Sequence, residues 1–283
     1  MYTTSKEILK AAQAGHYAVP AFDCVSDVLV RAILDCAEEQ RSPVLLMALE
    51  HDLAGKGMLY ISGLIRAVAP AYEVPVALHL DHATDIDQVK RALDHGFTSV
   101  MFDGSTLPLD DNIRITRQVV ELAARYGAST EAELGRVAGK ELDGGDTGES
   151  VLTAPEDVAR FVAETGVDSL AVSIGTAHGI YTSLPNLHLD RLSEIRAASD
   201  VPLVLHGGSG TPEDQLQEAI RRGITKINIY ADLRIAMGAA FAATAADVKR
   251  PDPLPDELFA GMHAAIKATV ARKIAVCMSA RRV

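Results

Sequence analysis

Eight short apolar runs recur along this chain at a regular beat, and helical patterns fill the intervals. The runs are HYAVPAF (16–22), PVLLMAL (43–49), PVALHLD (75–81), SVMFD (99–103), STEAEL (129–134), SLAVSIG (169–175), PLVLH (202–206) and KINIY (226–230). Several are near-continuous hydrophobic stretches, as parallel strands buried on both faces require. Between them, DVLVRAILDCAEEQ (27–40) carries apolar residues at helical spacing. Thr84 reads as the N-cap of DIDQVKRALDHG, and residues 112–127 run helically to a closing Gly127. Thr153 with Pro155, and Thr211 with Pro212, open two more helices. Alternating strands and helices make a parallel sheet. Eight units predict an α/β fold closed as a (β/α)8 TIM barrel, one domain over residues 1–283, rather than an open doubly wound sheet. SKEILKAAQAG (5–15) would be a helix under the barrel floor, and residues 256–278 a last helix or two.

The composition narrows the partners. A formal charge of −11 argues against nucleic acid and anionic membranes, but not against a small anionic substrate. The three cysteines, Cys24, Cys36 and Cys277, form no close-spaced pair, which suits a reducing compartment. The N-terminal MYTTSKEILKAAQ lacks the apolar core of a signal peptide. A soluble, cytoplasmic protein is expected.

Active sites of such barrels lie at the C-terminal strand ends. Those ends carry Asp23, Asp81–His82, Asp103, the alternating pair Glu131 and Glu133, His178, His206 and Asn228. Three imidazoles, His82, His178 and His206, on one rim are the inventory of a catalytic zinc with a fourth position open. The carboxylates would orient them. His16, His51, His95, His188 and His263 lack that context, and His79, one turn below the rim, reads mainly as structural. Strict alternation sends Asp81 and His82 to opposite faces, so both reach the pocket only if the chain leaves strand geometry there.

HGGSG (206–210) is a second signal. Gly207 and Gly208 let backbone approach a ligand, Ser209 offers a hydroxyl, and the loops after strands 7 and 8 commonly hold phosphate. Gly179 could add an N–H. GRVAGKELDGGDTGES (135–150) has no period and reads as a lid, with Glu141 as an acid–base candidate that arrives on closure.

With these motifs in hand, the chain resembles the class II, metal-dependent ketose-bisphosphate aldolases, most closely the tagatose-/fructose-bisphosphate branch. HLDHA (79–83), EAELGR (131–136), DSLAVSIGTAHGIY (168–181), PLVLHGGSG (202–210) and KIN (226–228) carry the likeness, which runs from residue 17 to about residue 235. The resemblance implies one Zn²⁺ on His82, His178 and His206, with Asp103 and Glu133 as acids beside it. It implies Asp81 as the proton carrier at the C4 hydroxyl and Glu141 at C3. Gly179, Gly207, Gly208, Ser209, Asn228, Ile229, Tyr230 and Ala231 would hold the dihydroxyacetone phosphate half. A monovalent cation, Na⁺ or K⁺, near the phosphate and a homodimer or homotetramer are also implied. The implied reaction is cleavage of tagatose or fructose 1,6-bisphosphate to dihydroxyacetone phosphate and an aldehyde. Three positions depart from the family pattern: Asp23 stands for an Asn, Leu49 for a hydroxyl residue and Ala231 for a Thr. They leave open a different phosphorylated ketose. A barrel metallohydrolase, a Schiff-base aldolase and a sugar-phosphate-binding protein are the rival readings. Lys226, the only strand lysine, sits below the pocket and speaks against the Schiff base.

Overall fold

Parallel pairing runs from β1 (Val19–Asp23) through β2 (Val44–Leu49), β3 (Val76–Ala83), β4 (Ser99–Phe102), β5 (Ser129–Leu134), β7 (Ser169–Val172) and β9 (Leu203–Leu205) to β10 (Ile224–Ile229). β10 then pairs with β1 and closes the barrel. The computed structural model describes residues 1–139, 150–179, 181 and 184–283. Two further strands, β6 (Ala138–Gly139) and β8 (Ala177–His178), pair with each other above the barrel and have no counterpart in the sequence reading. The outer helices include α2 (Asp27–Gln40), α3 (Gly57–Val68), α4 (Ile86–Asp94), α5 (Leu109–Arg125), α6 (Pro155–Thr165), α7 (Leu189–Ala198), α8 (Glu213–Arg221) and α9 (Ala231–Asp247). Among the described residues, no helix is long and apolar enough to cross a membrane.

Alternation along the strands sorts the two faces. Val19, Ala21, Leu45, Met47 and Ala77 point inward and pack on Ile8, Leu9 and Ala12 of α1 (Ser5–Gly15). Phe22, Leu46, Leu78, Val100, Ala132 and Leu203 point outward into the larger core shared with the helices. α1 thus plugs the floor as its pattern predicts, and burying Leu9 alone contributes about 1.5–3 kcal/mol. Ser5 brings a hydroxyl into that floor, 2.8 Å from Ser99 Oγ and 2.7 Å from Ser129 Oγ. The C-terminal helix α10 (Pro255–Val276) packs across α2 and α9, and Ala18 donates its N–H to Cys277 at 2.9 Å.

Several local expectations shift. The N-cap of α4 is Asp85, whose carboxylate accepts from Asp87 N–H, and not Thr84. Asp85 wins because a carboxylate is the stronger acceptor at a helix start. Neither Thr153 nor Thr211 caps its helix, since Ala154 and Pro212 hold those places. Thr153 Oγ1 instead donates to Leu134 O and accepts from Ser173 N, tying the top of β5 to that of β7. Thr211 Oγ1 donates to Gly207 O.

The tension at Asp81–His82 resolves as a bulge. β3 pairs Leu80 with Val100 and then Ala83 with Phe102, so three residues advance against two. His82 absorbs the extra residue with φ 50°, a left-handed conformation that costs a non-glycine residue roughly 1–2 kcal/mol. Asp81 keeps the inward register of Ala77 and His79, and the kink returns His82 to the same mouth.

Candidate active site

Three imidazoles meet at the mouth from separate elements: His82 from the β3 bulge, His178 from β8 and His206 from the end of β9. Their ring centroids lie 4.5, 4.8 and 5.8 Å apart. One ring nitrogen of each falls within 4.8 Å of the others. A second set, His82, Asp103 and Glu133, converges equally closely and shares His82.

The hydrogen bonds fix which nitrogens are bare. His82 Nδ1 lies 2.8 Å from Asp103 Oδ2, and a carboxylate only accepts, so Nδ1 carries the proton. His206 Nε2 lies 3.0 Å from Glu131 Oε1, so Nε2 carries the proton there. The remaining nitrogens, His82 Nε2 and His206 Nδ1, face each other across 2.8 Å. Two lone pairs at that distance repel unless a proton or a metal stands between them. Tetrahedral bonds of about 2.0–2.1 Å put two ligand nitrogens about 3.3 Å apart, so the pair need open by only about half an ångström. Glu133 adds a buried Oε2 with no hydrogen-bond partner among the described residues, 3.6 Å from His206 Nδ1. This donor set fits a divalent metal. Asp103 serves as the carboxylate behind His82, the arrangement that orients metal-binding imidazoles.

A buried charge network lies directly below. Lys226 Nζ donates to both oxygens of Glu131 at 2.9 and 2.8 Å, and both side chains are fully buried. Burial alone would raise the Glu131 pKa, but the Lys226 ammonium outweighs it and holds the carboxyl below the usual range. Lys226 Nζ is also 3.3 Å from His79 Nε2, while His79 Nδ1 meets Ser99 Oγ at 2.6 Å. Burial and the nearby ammonium push His79 well below the ordinary imidazole range, so it stays neutral. His79 is therefore a link between the floor serines and the site. Burial, then Asp103, raises the Glu133 carboxyl. Asn228 Nδ2 donates to Asp81 Oδ1 at 3.1 Å and fixes that carboxylate in the mouth.

The model of the family described as class II fructose-bisphosphate aldolase matches residues 3–282. The chain belongs to the class II fructose-bisphosphate aldolase family. Solved structures agree. The YdjI aldolase of Escherichia coli K12 is 32% identical, covers 99% of each chain and superposes with a TM-score of 0.88. A Coccidioides immitis protein provisionally assigned as a fructose-1,6-biphosphate aldolase is 32% identical over 97% of this chain and 96% of its own, with a TM-score of 0.85. A Campylobacter jejuni fructose-bisphosphate aldolase, 24% identical over 100% of this chain and 97% of its own, shares the fold with a TM-score of 0.84. The chain is thus a carbon–carbon lyase of the metal-dependent class.

The loops of this aldolase that follow β9 and β10 meet at Ser209, whose Oγ accepts the N–H groups of Tyr230 and Asp232 at 3.2 and 3.3 Å. Gly207 has φ +70°, and a Cβ there would collide with Ala177 O, so only glycine lets the two histidine loops touch. Gly208 gives its N–H to Asn228 O at 3.0 Å, which leaves it to provide space rather than a donor. Ile229 turns outward into the helix-facing core, so only its backbone borders the mouth. Ala231 is buried at the start of α9, and Gly179 takes φ +86°. Glu141 lies outside the described residues.

Sequence reasoning missed Tyr181. Its hydroxyl accepts from Ala177 N and donates to Gly207 O, both at 2.9 Å, clasping the loops that carry His178 and His206. It also passed over Glu131 as the partner of His206. A lysine and a glutamate on inward positions of buried strands, with no surface to reach, were the available signal.

One pH effect follows for the aldolase. Burial lowers the His82 pKa, but Asp81, Asp103 and Glu133 together outweigh it and raise it well above the ordinary imidazole value. Metal-free enzyme therefore keeps a proton between His82 and His206, and a metal must displace it. Metal affinity should rise about tenfold per pH unit from acid through neutrality and level off only above the raised His82 value. Competition titrations with a metal indicator at several pH values check this. A flat profile across that range would contradict it.

Proposed function

We propose that this aldolase holds Zn²⁺ on His82, His178 and His206 and splits the C3–C4 bond of a phosphorylated ketose into dihydroxyacetone phosphate and an aldehyde. The observation that carries the reading is the pair of bare nitrogens, His82 Nε2 and His206 Nδ1, set 2.8 Å apart with their far nitrogens bound to carboxylates. A divalent metal held there supplies Lewis acidity for the charge that develops on the ketose oxygens.

The chain's own residues do the rest. Asp81, steadied by Asn228, takes the proton of the C4 hydroxyl. The C4 oxygen then forms the aldehyde carbonyl, and the C3–C4 bonding pair moves into the C2–C3 unit and onto the C2 oxygen. Glu141 is proposed to return a proton to C3. Asp103 keeps His82 turned to the mouth, and Glu131 does the same for His206. Gly179, Gly207, Gly208, Ser209, Asn228, Tyr230, Ala231 and the backbone of Ile229 are proposed to surround the phosphate. A monovalent cation beside that phosphate, and assembly into dimers or tetramers, complete the proposal. Fructose and tagatose bisphosphates are the reference substrates.

Chelation should abolish cleavage, and added Zn²⁺ should restore it. Borohydride plus substrate should leave the enzyme active, because no imine forms. Full activity of demonstrably metal-free protein would reject the assignment, and inactivation by borohydride would point to Lys226 instead.

A further inference from the structure

Below the mouth, β1 and β2 line the barrel interior with Val19, Ala21, Leu45 and Met47. The opposite wall is polar from floor to mouth. Register places His79 of β3 beside Ser99 of β4, and Ser99 beside Ser129 of β5. Ser5 of α1 reaches both serines from the floor, at 2.8 and 2.7 Å. Higher up stand Lys226, Glu131 and, at the mouth, His206. All seven side chains are buried, so their donors and acceptors answer to one another.

The direction of every bond is set from the two ends. At the upper end an ammonium only donates. Lys226 gives two N–H groups to Glu131 and aims the third at His79 Nε2, 3.3 Å away. A ring nitrogen that accepts is bare, so the one proton of the neutral imidazole sits on Nδ1 and goes to Ser99 Oγ at 2.6 Å. At the lower end a carbonyl only accepts, and Ser129 Oγ donates to Thr98 O at 3.3 Å. Ser129 then accepts from Ser5, and Ser5 from Ser99. The chain therefore runs one way, from Lys226 through His79, Ser99, Ser5 and Ser129 to Thr98 O. Reversing one link alone would set two protons or two lone pairs against each other. With three acceptors the ammonium cannot turn about its Cε–Nζ bond, and Glu131 is held at both oxygens. Glu131 Oε1 in turn accepts from His206 Nε2 at 3.0 Å, which leaves Nδ1 of that ring facing the metal position.

We infer that His79 is a positioning residue for the metal site, acting through Lys226 and Glu131 on His206, and that Ser99 and Ser5 lock its tautomer from the barrel floor. The inference rests on the metal-site reading above. Imidazole ¹⁵N spectra of the full-length protein read the tautomer, with His79 assigned by the signals that move in Ser99→Ala. The expected form carries its proton on Nδ1; a proton on Nε2 instead would overturn the inference, with or without metal. Zinc competition titrations read the consequence. His79→Leu and Ser99→Ala should each weaken Zn²⁺ binding by about three- to tenfold, less than removal of a ligand's direct partner. Ser99→Thr, which keeps the hydroxyl, should bind as the wild type does. In a Lys226→Met background neither substitution should weaken binding further, because its route to His206 is gone. A merely structural role would lower stability in both backgrounds and leave affinity alone. Should His79→Leu unfold the barrel, Ser99→Ala carries the titration. Unchanged affinity, or an equal loss in the Lys226→Met background, would overturn the inference and leave the metal site standing. Zn²⁺ bound undiminished by His206→Ala would remove the reading on which it rests.

Discussion

Asp81→Ala is expected to cut turnover by roughly 10²–10⁴-fold while metal content stays at the wild-type level. Asp81 does not belong to either converging donor set. Its Oδ1 is occupied by Asn228 at 3.1 Å, and its neighbour in register is the aliphatic Leu49. Removing it therefore takes away a proton acceptor and leaves the imidazoles in place. The substitution also strands the Asn228 amide, which costs about 1–3 kcal/mol of stability when such a buried group is left unmade. Elemental analysis beside saturating kinetics checks both halves. Metal lost together with activity would mean that the bulge presents Asp81, not His82, as a ligand.

Lys226→Met should have the largest effect on stability. The Lys226–Glu131 pair is fully buried, and removing one member of such a pair typically costs about 3–5 kcal/mol. Glu131 would then take up a proton and cease to be the acceptor that fixes His206, so metal affinity should fall by roughly 10–100-fold. Lys226→Met combined with Glu131→Gln removes the stranded charge and should recover much of the stability without recovering the affinity. The pH dependence has a definite sign. The folded pKa of Glu131 is depressed, so its contribution is present above the ordinary glutamate value of about 4.3 and is lost as pH falls through the lower folded value. Denaturant unfolding of the single and double variants, with metal titration, measures each part. Equal stability of Lys226→Met and wild type would show that the ammonium contributes nothing to the native state.

The barrel was legible because β-branched and apolar runs buried on both faces have few other uses, and helical periods stood between them. The rim histidines were legible because each directly ends such a run or follows it in a glycine-rich loop. What lay beyond the sequence was geometry that alternation does not encode. Alternation assigned Asp81 and His82 to different faces, and only the three-for-two advance of β3 on β4 brings both into the mouth. It put Glu131 and Glu133 on one face but could not say that Glu131 bridges Lys226 below to His206 Nε2, while Glu133 stands beside His206 Nδ1. Height along the barrel axis depends on strand stagger, a property of the closed sheet. Helix α9 escaped notice for another reason: Ala-rich and half-exposed, it lacks a clear apolar stripe. Thr84 reads as the cap although Asp85 holds the place, because both residue types can cap and a one-residue offset is settled by backbone angles.

The pairing of β3 through β9 gives metal uptake a use as a clock. Asp81, His82 and Asp103 come from the chain before α5, whereas Glu131, His178, His206, Lys226 and Asn228 come after it. Neither stretch owns a complete donor set of three histidines. The chelating geometry comes into being only when distant parts of the polypeptide, β3 to β5 on one side and β7 to β9 on the other, have paired. Refolding followed by a zinc-sensitive dye would thus time the assembly of that arc. Signals from helix content would run ahead of it, since helices form within single segments and need no strand pairing.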